Sequence, residues 1–557
     1  MRIFRTVLEQ KIWERRQTFE EFVEYAEAFA REHDEAGTLG VRHLQRLAAG
    51  RGPNGRPLGQ VRPATARLLE RILGLSVDEL LAAPAASTGA SDAVTPARPG
   101  HGVIGRIAPT ADSRGVDDFG PARQQDIGVP NLAGSFEWLD ERSGWTPDTS
   151  RRRVRARVGK LTTGDVLDRH IGRASVRRSQ IARVLAEYYA DDDSRYGTYR
   201  AQVGTREIGT SVLSSSAWLN LNCELTPDND QLALADVEFG ASGVSDDVGA
   251  KHAVDRLAED ALLDVRVVNA PVYRLLGVDL DGGAISGTVG LAPFVEYALT
   301  MDLLERELID AIKAGRSVQR GGLPMRDRHL PDLATVVGVG DRLCAGGVVG
   351  LCAIARPADP YRGDADYALL VQERSGHVLN SARRLAVIPK GFHQPLKDVR
   401  ADARIGATLR REMEEELFGR SEVDSTVGEG RVAEPMHPKR LSAPMRWLLG
   451  EPDRLRLECT GFGLNLVSGN YEFASLIVIE DEEFWPRYGG DVEANWESAG
   501  LRLYSSLDRQ LIDNLISDES WSNEGLFALL LGLRRLREIG GRRVDLPVIE
   551  SGALGAS

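Results

Sequence analysis

The stretch LAVIPKGFHQPLKDVRADARIGATLRREMEEELFG, residues 385–419, decides how the rest of the chain is read. In its second half, Ala403 to Gly419, Ile405, Leu409, Met413 and Leu417 recur at every fourth position, the spacing of one buried helical stripe. Glu412, Glu415 and Glu416 fall at i, i+3 and i+4, so on a helix three carboxylates share a face with Cβ atoms about 5–6 Å apart. Like charges repel at that distance. Such a cluster beside a packed stripe is either a solvated acidic face or a place where a cation is held. Ahead of it, Leu385 to Ile388 reads as a strand that Pro389 and Gly391 stop. The order is strand, glycine-containing loop, acidic helix.

At these residues the sequence resembles the Nudix family, whose box runs glycine, five residues, glutamate, seven residues, then Arg-Glu, apolar, any, Glu-Glu, any, Gly. Ile388-Pro389-Lys390-Gly391 stands at the entry of that box, and Arg411-Glu412-Met413-x-Glu415-Glu416 matches its core. YALLVQERSGHVLNSARRLAVIPKG, ahead of it, looks like the family's strand, Arg-containing loop and second strand. Two features depart from the pattern. Lys397 stands where the first glutamate belongs, with thirteen residues rather than seven before Arg411, and Gly419 comes one place late. The resemblance implies an α/β/α sandwich. It also implies Mg²⁺ or Mn²⁺ on Glu412, Glu415 and Glu416, with Arg411 holding a carboxylate in place, and attack of water on a diphosphate. Lys390, Gly391, His393 and Lys397 would then face the ligand. The missing glutamate leaves the base open, with Glu472, Glu493 and Glu497 as substitutes, although a surface role is the simpler reading of each.

Composition sets outer limits. A chain of 557 residues exceeds one core, so two to four domains are expected. Hydrophobic content of 42% and charged content of 27% are those of a globular protein. A net charge of -13 argues against wholesale attraction to nucleic acid or acidic membrane, so any DNA contact must be regional. Cys223, Cys344, Cys352 and Cys459 form no CxxC pair, and neither a zinc ribbon nor a disulfide framework is indicated. MRIFRTVLEQKIWERR has no apolar core of a leader, and GLFALLLGL is too short to span a bilayer. A cytoplasmic protein without membrane attachment is expected.

Residues 1–83 read as short helices, with charge sharply divided. From Gly37 to Arg71 there are seven arginines against one acid, Glu70. A basic helix followed by an Arg- and Gly-rich turn is the footprint of a module lying on phosphates. TLGVRHLQRLAAGRGPNGRPLGQVRPATARLLERILGLSVDELL resembles the helix-turn-helix region of actinobacterial regulators of the xenobiotic-response-element type. By that resemblance Val41 to Ala49 is the recognition helix. Arg42, His43, Gln45 and Arg46 would reach base edges, while Arg51, Arg56 and Arg62 neutralise phosphates. Such heads work in pairs, so a homodimer is expected. A helical docking domain with a solvated basic face is the other reading.

Residues 84–130 are rich in Ala, Pro, Gly, Ser and Asp and read as a flexible linker. Residues 131–330 read as a mixed α/β domain without a chemical motif. Within it Arg151 to Leu161 alternates basic and apolar like an exposed strand, and PFVEYALTMDLLERELIDAIKAG reads as one helix stopped by Gly315. Residues 331–545 are expected to be the Nudix-like domain: strands near 343–355, 367–372, 455–467 and 471–479, the box, and a closing helix in EGLFALLLGLRRLREI. Residues 546–557 read as a disordered tail. The fold class expected is therefore multidomain α/β, with a small all-α head, a mixed middle domain and a C-terminal sandwich. No phosphate loop of the GxxxxGK[ST] kind occurs, and VGVGDRL has Leu343 where a dinucleotide fingerprint needs glycine. The function expected is a DNA-binding transcriptional regulator that senses a nucleotide-type ligand, the alternative being a magnesium-dependent Nudix hydrolase of nucleoside diphosphate derivatives.

Overall fold

The computed structural model describes residues 5–15, 22–23, 25–26, 29, 41–50, 61, 63–73, 75–82, 132–190, 195–235, 247–263, 265, 267, 269–281, 283–374, 383–418, 436–437, 440–490, 492 and 498–553. The expected linker lies outside them. The protein is mixed α/β and forms two compact units, Met1–Gly120 and Pro121–Ser557.

The first unit is helical in its described part: Val7–Glu14, Val41–Ala49, Pro63–Leu73 and Val77–Leu81. Leu8, Ile12, Phe22, Leu44, Leu47, Leu68, Leu69, Ile72 and Leu80 form one buried cluster. The first three helices contribute residues three or four apart, as an amphipathic stripe must, and Val77–Leu81 adds Leu80. Ser76 and Glu79 cap the last helix reciprocally. The Glu79 amide donates to the Ser76 hydroxyl at 3.3 Å, and the Ser76 amide donates to the Glu79 carboxylate at 2.9 Å. The Thr6 hydroxyl donates to the Ala48 carbonyl at 2.7 Å, tying the first helix to the end of the 41–49 helix.

In the second unit the strands are β1 (Gly197–Val203), β2 (Arg206–Ser214), β3 (Cys223–Glu224), β4 (Asp230–Leu234), β5 (Pro271–Asp281), β6 (Ala284–Pro293), β7 (Gly346–Arg356), β8 (Asp366–Arg374), β9 (Leu385–Val387), β10 (Lys390–Phe392), β11 (Leu455–Asn465), β12 (Tyr471–Ile479), β13 (Ser498–Ser505) and β14 (Ile549–Ala553). An eleven-stranded sheet runs β13-β8-β7-β12-β11-β2-β1-β14, with β9, β10 and β3 attached at its sides; β4-β6-β5 form a second sheet. At its centre β7 and β12 are parallel, pairing Tyr471 with Gly346 through Ile479 with Ile354. Both strands are buried along their whole length, as expected where a parallel pair is covered on each face. Val348, Cys352 and Ile354 point to one core, which also holds Ile405, Leu409, Met413 and Leu417. Val349, Leu351, Ala353 and Ala355 point to the other, filled by Trp521 and the apolar face of the Asn523–Ile539 helix. The period of two along β7 thus separates the acidic helix from the long C-terminal helix.

Four sequence expectations are modified. Arg151 to Leu161 is not a strand: Thr149–Val158 is a helix, with Val154 buried and the Arg153 guanidinium 3.8 Å from the Trp145 ring centroid. The helix expected from Phe294 to Gly315 breaks into Phe294–Ala298 and Leu303–Lys313, because Asp302 turns inward to the Arg256 guanidinium at 2.8 Å. Ile549–Ala553, expected to be disordered, is strand β14 and pairs with β1 from Tyr199↔Ala553 to Val203↔Ile549. Residues on the two sides of position 330, read as separate domains, share the large sheet, Leu213 and Val212 of β2 facing Leu464 and Asn465 of β11.

A buried ionic network joins the helices of the 131–330 region. Arg256 bridges Asp260 at 2.7 Å and Asp302 at 2.8 Å, and Glu259 receives Arg169 and Arg173, each at 2.9 Å, and Arg306. Burial pushes the Asp302 carboxyl up to about 7 although Arg256 opposes it. Burial and the surrounding arginines hold His170, beside Glu259, down at about 4.

Candidate functional site

The box-like segment folds as strand, turn, helix. β10 pairs with β7, Gly391 facing Val348 and Phe392 facing Gly347. The longer loop that follows is ordered by two aspartates. Asp398 Oδ1 accepts the Arg400 and Ala401 amides at 3.0 Å, and Asp402 Oδ2 accepts those of Leu396 at 2.8 Å and Lys397 at 3.2 Å. The Ile405–Glu412 helix is capped from β4, Asp230 accepting the Ile405 and Gly406 amides at 3.2 and 2.7 Å. It continues as one π turn, Met413–Leu417, a wider turn that recurs at functional sites.

The glutamates do not form a separate wet face beside a packed stripe. Glu412, Glu414, Glu415 and Glu416 are all buried, together with Arg411. Burial at this density requires partners. The Arg411 guanidinium lies 2.7 Å from Glu412 Oε1 and 3.6 Å from Glu415 Oε2, and donates to the Phe392 carbonyl at 3.0 Å. Glu416 Oε2 accepts the Lys390 amide at 2.7 Å, and Glu414 takes the Ser442 amide and hydroxyl. Gly391 closes the arrangement: a Cβ there would stand 1.9 Å from Glu412 Cδ, so any side chain would expel that carboxylate. As arranged, Glu412 and Glu415 both face the Arg411 guanidinium. Among the described residues no group of three His, Cys, Asp or Glu side chains converges in a metal-holding way.

Of the expected ligand residues, Lys390 leads elsewhere. Its side chain is buried and its Nζ sits 2.5 Å from Glu524 Oε1, in the first turn of the 523–539 helix, where a carboxylate is favoured. It lines a recess of about 20 Å³, room for about one water, with Glu305, Arg384, Asn465, Asn470 and Glu472 among its walls. Asn465 Nδ2 reaches Glu524 Oε2 at 3.4 Å. Burial first, with Glu524 adding to it, pushes Glu472 up to about 8 against the pull of Lys390. Burial and Glu524 raise Glu305 as well. Glu472 is thus in a chamber rather than on the surface; Glu493 and Glu497 lie outside the described residues.

His393 is not a solvent-facing loop residue. It is fully buried, its ring 4.3 Å from that of Tyr273 and its Nδ1 2.8 Å from the Tyr471 hydroxyl, and burial holds it neutral with a pKa near 3. Lys397 is exposed, apart from the buried group. The structure therefore brings Arg411, Glu412, Glu415, Glu416, Gly391 and Lys390 together, and leaves His393 in the core and Lys397 outside. Glu305, Arg384, Asn470 and Glu524 were not singled out from sequence. Each is unremarkable in its own segment, and only the fold gathers them. A wider groove of about 1110 Å³ is lined by Arg178, Arg183, Arg200 and Arg206 with Glu187, Glu207 and Glu519.

In the first unit Val41–Ala49 is helical, with Gln45 and Arg46 exposed and His43 half-buried. The Arg42 side chain and residues Arg51, Arg56 and Arg62 lie outside what is described. No helix among the described residues is long and apolar enough to cross a membrane. No protein-family model and no curated protein matches this chain.

Proposed function

We propose that this chain is a DNA-binding transcriptional regulator whose first unit is a helix-turn-helix head and whose second unit carries a degenerate Nudix-like α/β/α sandwich that senses a nucleotide-type ligand. The observation that carries the sensing half is the Pro389–Gly391 turn, where the Lys390 amide holds Glu416 while its ammonium enters a separate recess. A glycine-containing turn running into a helix that carries Glu412, Glu415 and Glu416 keeps the order of the Nudix box, which supports a nucleotide-type ligand at that turn. The reading of the head rests on the helix at 41–49, which exposes Gln45 and Arg46, side chains suited to adenine and guanine edges.

The sensing half is tested by thermal shift of the full chain across a panel of nucleotides and dinucleotides. A ligand present at about 100 times its Kd raises stability by about 2.7 kcal/mol. A flat response across the panel sinks it. The head is tested by binding to the DNA upstream of its own gene. Arg46→Ala is expected to weaken specific binding by about 1–3 kcal/mol, and binding should fall steeply with salt. Undiminished binding after removal of residues 1–83 sinks the regulator reading.

The gathering of Glu412, Glu415 and Glu416 keeps the hydrolase as a second reading. It requires Arg411 to release Glu412 and Glu415 before Mg²⁺ or Mn²⁺ could be held, and the metal would supply charge neutralisation and an activated water. Magnesium-dependent release of a mononucleotide from ADP-ribose or NADH, lost in Glu415→Gln, is the result that would favour it.

A further inference from the structure

In the recess around Lys390 carboxylates outnumber cations. Three carboxylates, Glu305, Glu472 and Glu524, face two cations, Lys390 and Arg384. Both cations are committed, Lys390 Nζ to Glu524 at 2.5 Å and Arg384 to the Val176 carbonyl at 2.7 Å. Among the described residues no hydrogen bond reaches the Glu305 carboxylate. Asn470, 5% exposed, adds a second kind of observation. Its Nδ2 donates to the Tyr297 hydroxyl at 3.1 Å, and that hydroxyl in turn bonds Asp302, which fixes the amide's orientation. Asn470 Oδ1 is then left buried with no partner among the described residues. A buried acceptor without a donor costs about 1–3 kcal/mol, so the site is built for something that brings donors.

The space is water-sized, too small for a phosphate, and the absence of a three-ligand metal group among the described residues disfavours a divalent ion. An ammonium group has the size of water, offers only donors, and can take the place of the proton that Glu472 otherwise carries. We propose that the chamber is a binding site for an ammonium group, either the free ion or the amine end of a larger ligand, held by Glu305, Glu472 and Asn470 Oδ1. This stands independently of the nucleotide reading, since no phosphate contact enters it. Glu472 takes part as a proton exchanger: protonated near neutrality by burial beside Glu524, it loses its proton when the ammonium arrives. Lys390 and Arg374 pull the Glu472 pKa down, Glu524 raises it, and the Asn465 side chain bonds it.

The test is calorimetric titration of the full chain at pH 7 with methylammonium chloride, repeated in buffers of different ionisation enthalpy, with tetramethylammonium chloride as the control of equal charge and no N–H donor. Methylammonium is expected to bind with release of up to about one proton. Tetramethylammonium should give no heat beyond dilution. Glu472→Gln, which mimics the protonated acid and so keeps the fold, should abolish the proton release and weaken binding about tenfold; Glu305→Gln should weaken it without abolishing the release. Tighter binding of ethanolamine than of ammonium chloride assigns the amine end of a larger ligand, and the reverse assigns the free ion. Equal responses to methylammonium and tetramethylammonium, or proton release unchanged in Glu472→Gln, overturn the proposal and leave a chamber that holds one water.

Discussion

Arg326→Met is expected to lower the stability of the second unit by about 3–5 kcal/mol, measured as a shift in the urea midpoint. Arg326 is fully buried, and among the described residues no carboxylate pairs with its guanidinium. Instead it donates to the Leu466 carbonyl at 2.5 Å, the Val467 carbonyl at 2.6 Å and the Tyr189 hydroxyl at 3.2 Å. Those carbonyls belong to the link between β11 and β12, which cannot pair them within the sheet. The backbone of Arg326 is fixed in turn, because Glu307 accepts the Met325 and Arg326 amides at 2.9 Å. Methionine fills the volume but leaves two buried carbonyls unpaired, at about 1–3 kcal/mol each. Arg326→Lys should recover only part of the loss, since one ammonium cannot span the fork geometry. A midpoint unchanged in Arg326→Met would mean the carbonyls find water, and the anchoring role would fall.

The second large effect is on pH dependence. A carboxyl whose pKa is raised on folding holds a proton that the unfolded chain has given up, so stability falls as pH rises between the two values. For Glu472 that window runs from its ordinary 4.5 to about 8, and for Asp302 from 3.8 to about 7. His170, lowered from 6.5 to about 4, acts in the opposite sense, and its contribution is lost as pH falls below 6.5. Between pH 7 and 8 Glu472 makes the largest change of the three, while Asp302 gives up the rest of its proton. The slope there is at most about 1.4 kcal/mol per pH unit for one proton, declining with pH, and Glu472→Gln should flatten it. Parallel stability curves for wild type and variant over that interval would show that the chamber does not hold a proton.

Much of the architecture was readable because the central strands are long, apolar and bounded by turn residues. β7, β8, β11 and β12 lie where the sequence places them, as does the helix in EGLFALLLGLRRLREI. Arg151 to Leu161 misled because arginines alternate with valine and alanine there with a period of two. The fold buries only Val154 deeply and spreads the arginines over a helix, where Arg157 reaches Asp255 at 2.5 Å. The glutamate group was legible as a spacing, but its burial was not, because Arg411, Lys390 and Gly391 enclose it from a neighbouring turn. The chamber could not be read at all: its walls come from residues 305, 384, 390, 465–472 and 521–524, which only the sheet brings together.

The pairing of β14 with β1 has a consequence for biosynthesis. Val203 leaves the ribosome long before Ile549, its strand partner, exists. At about 5–20 residues per second the gap lasts tens of seconds, during which β1 is an open template for other nascent chains. Chaperone occupancy of β1 should therefore persist until translation is nearly complete, and release should coincide with emergence of residues 549–553.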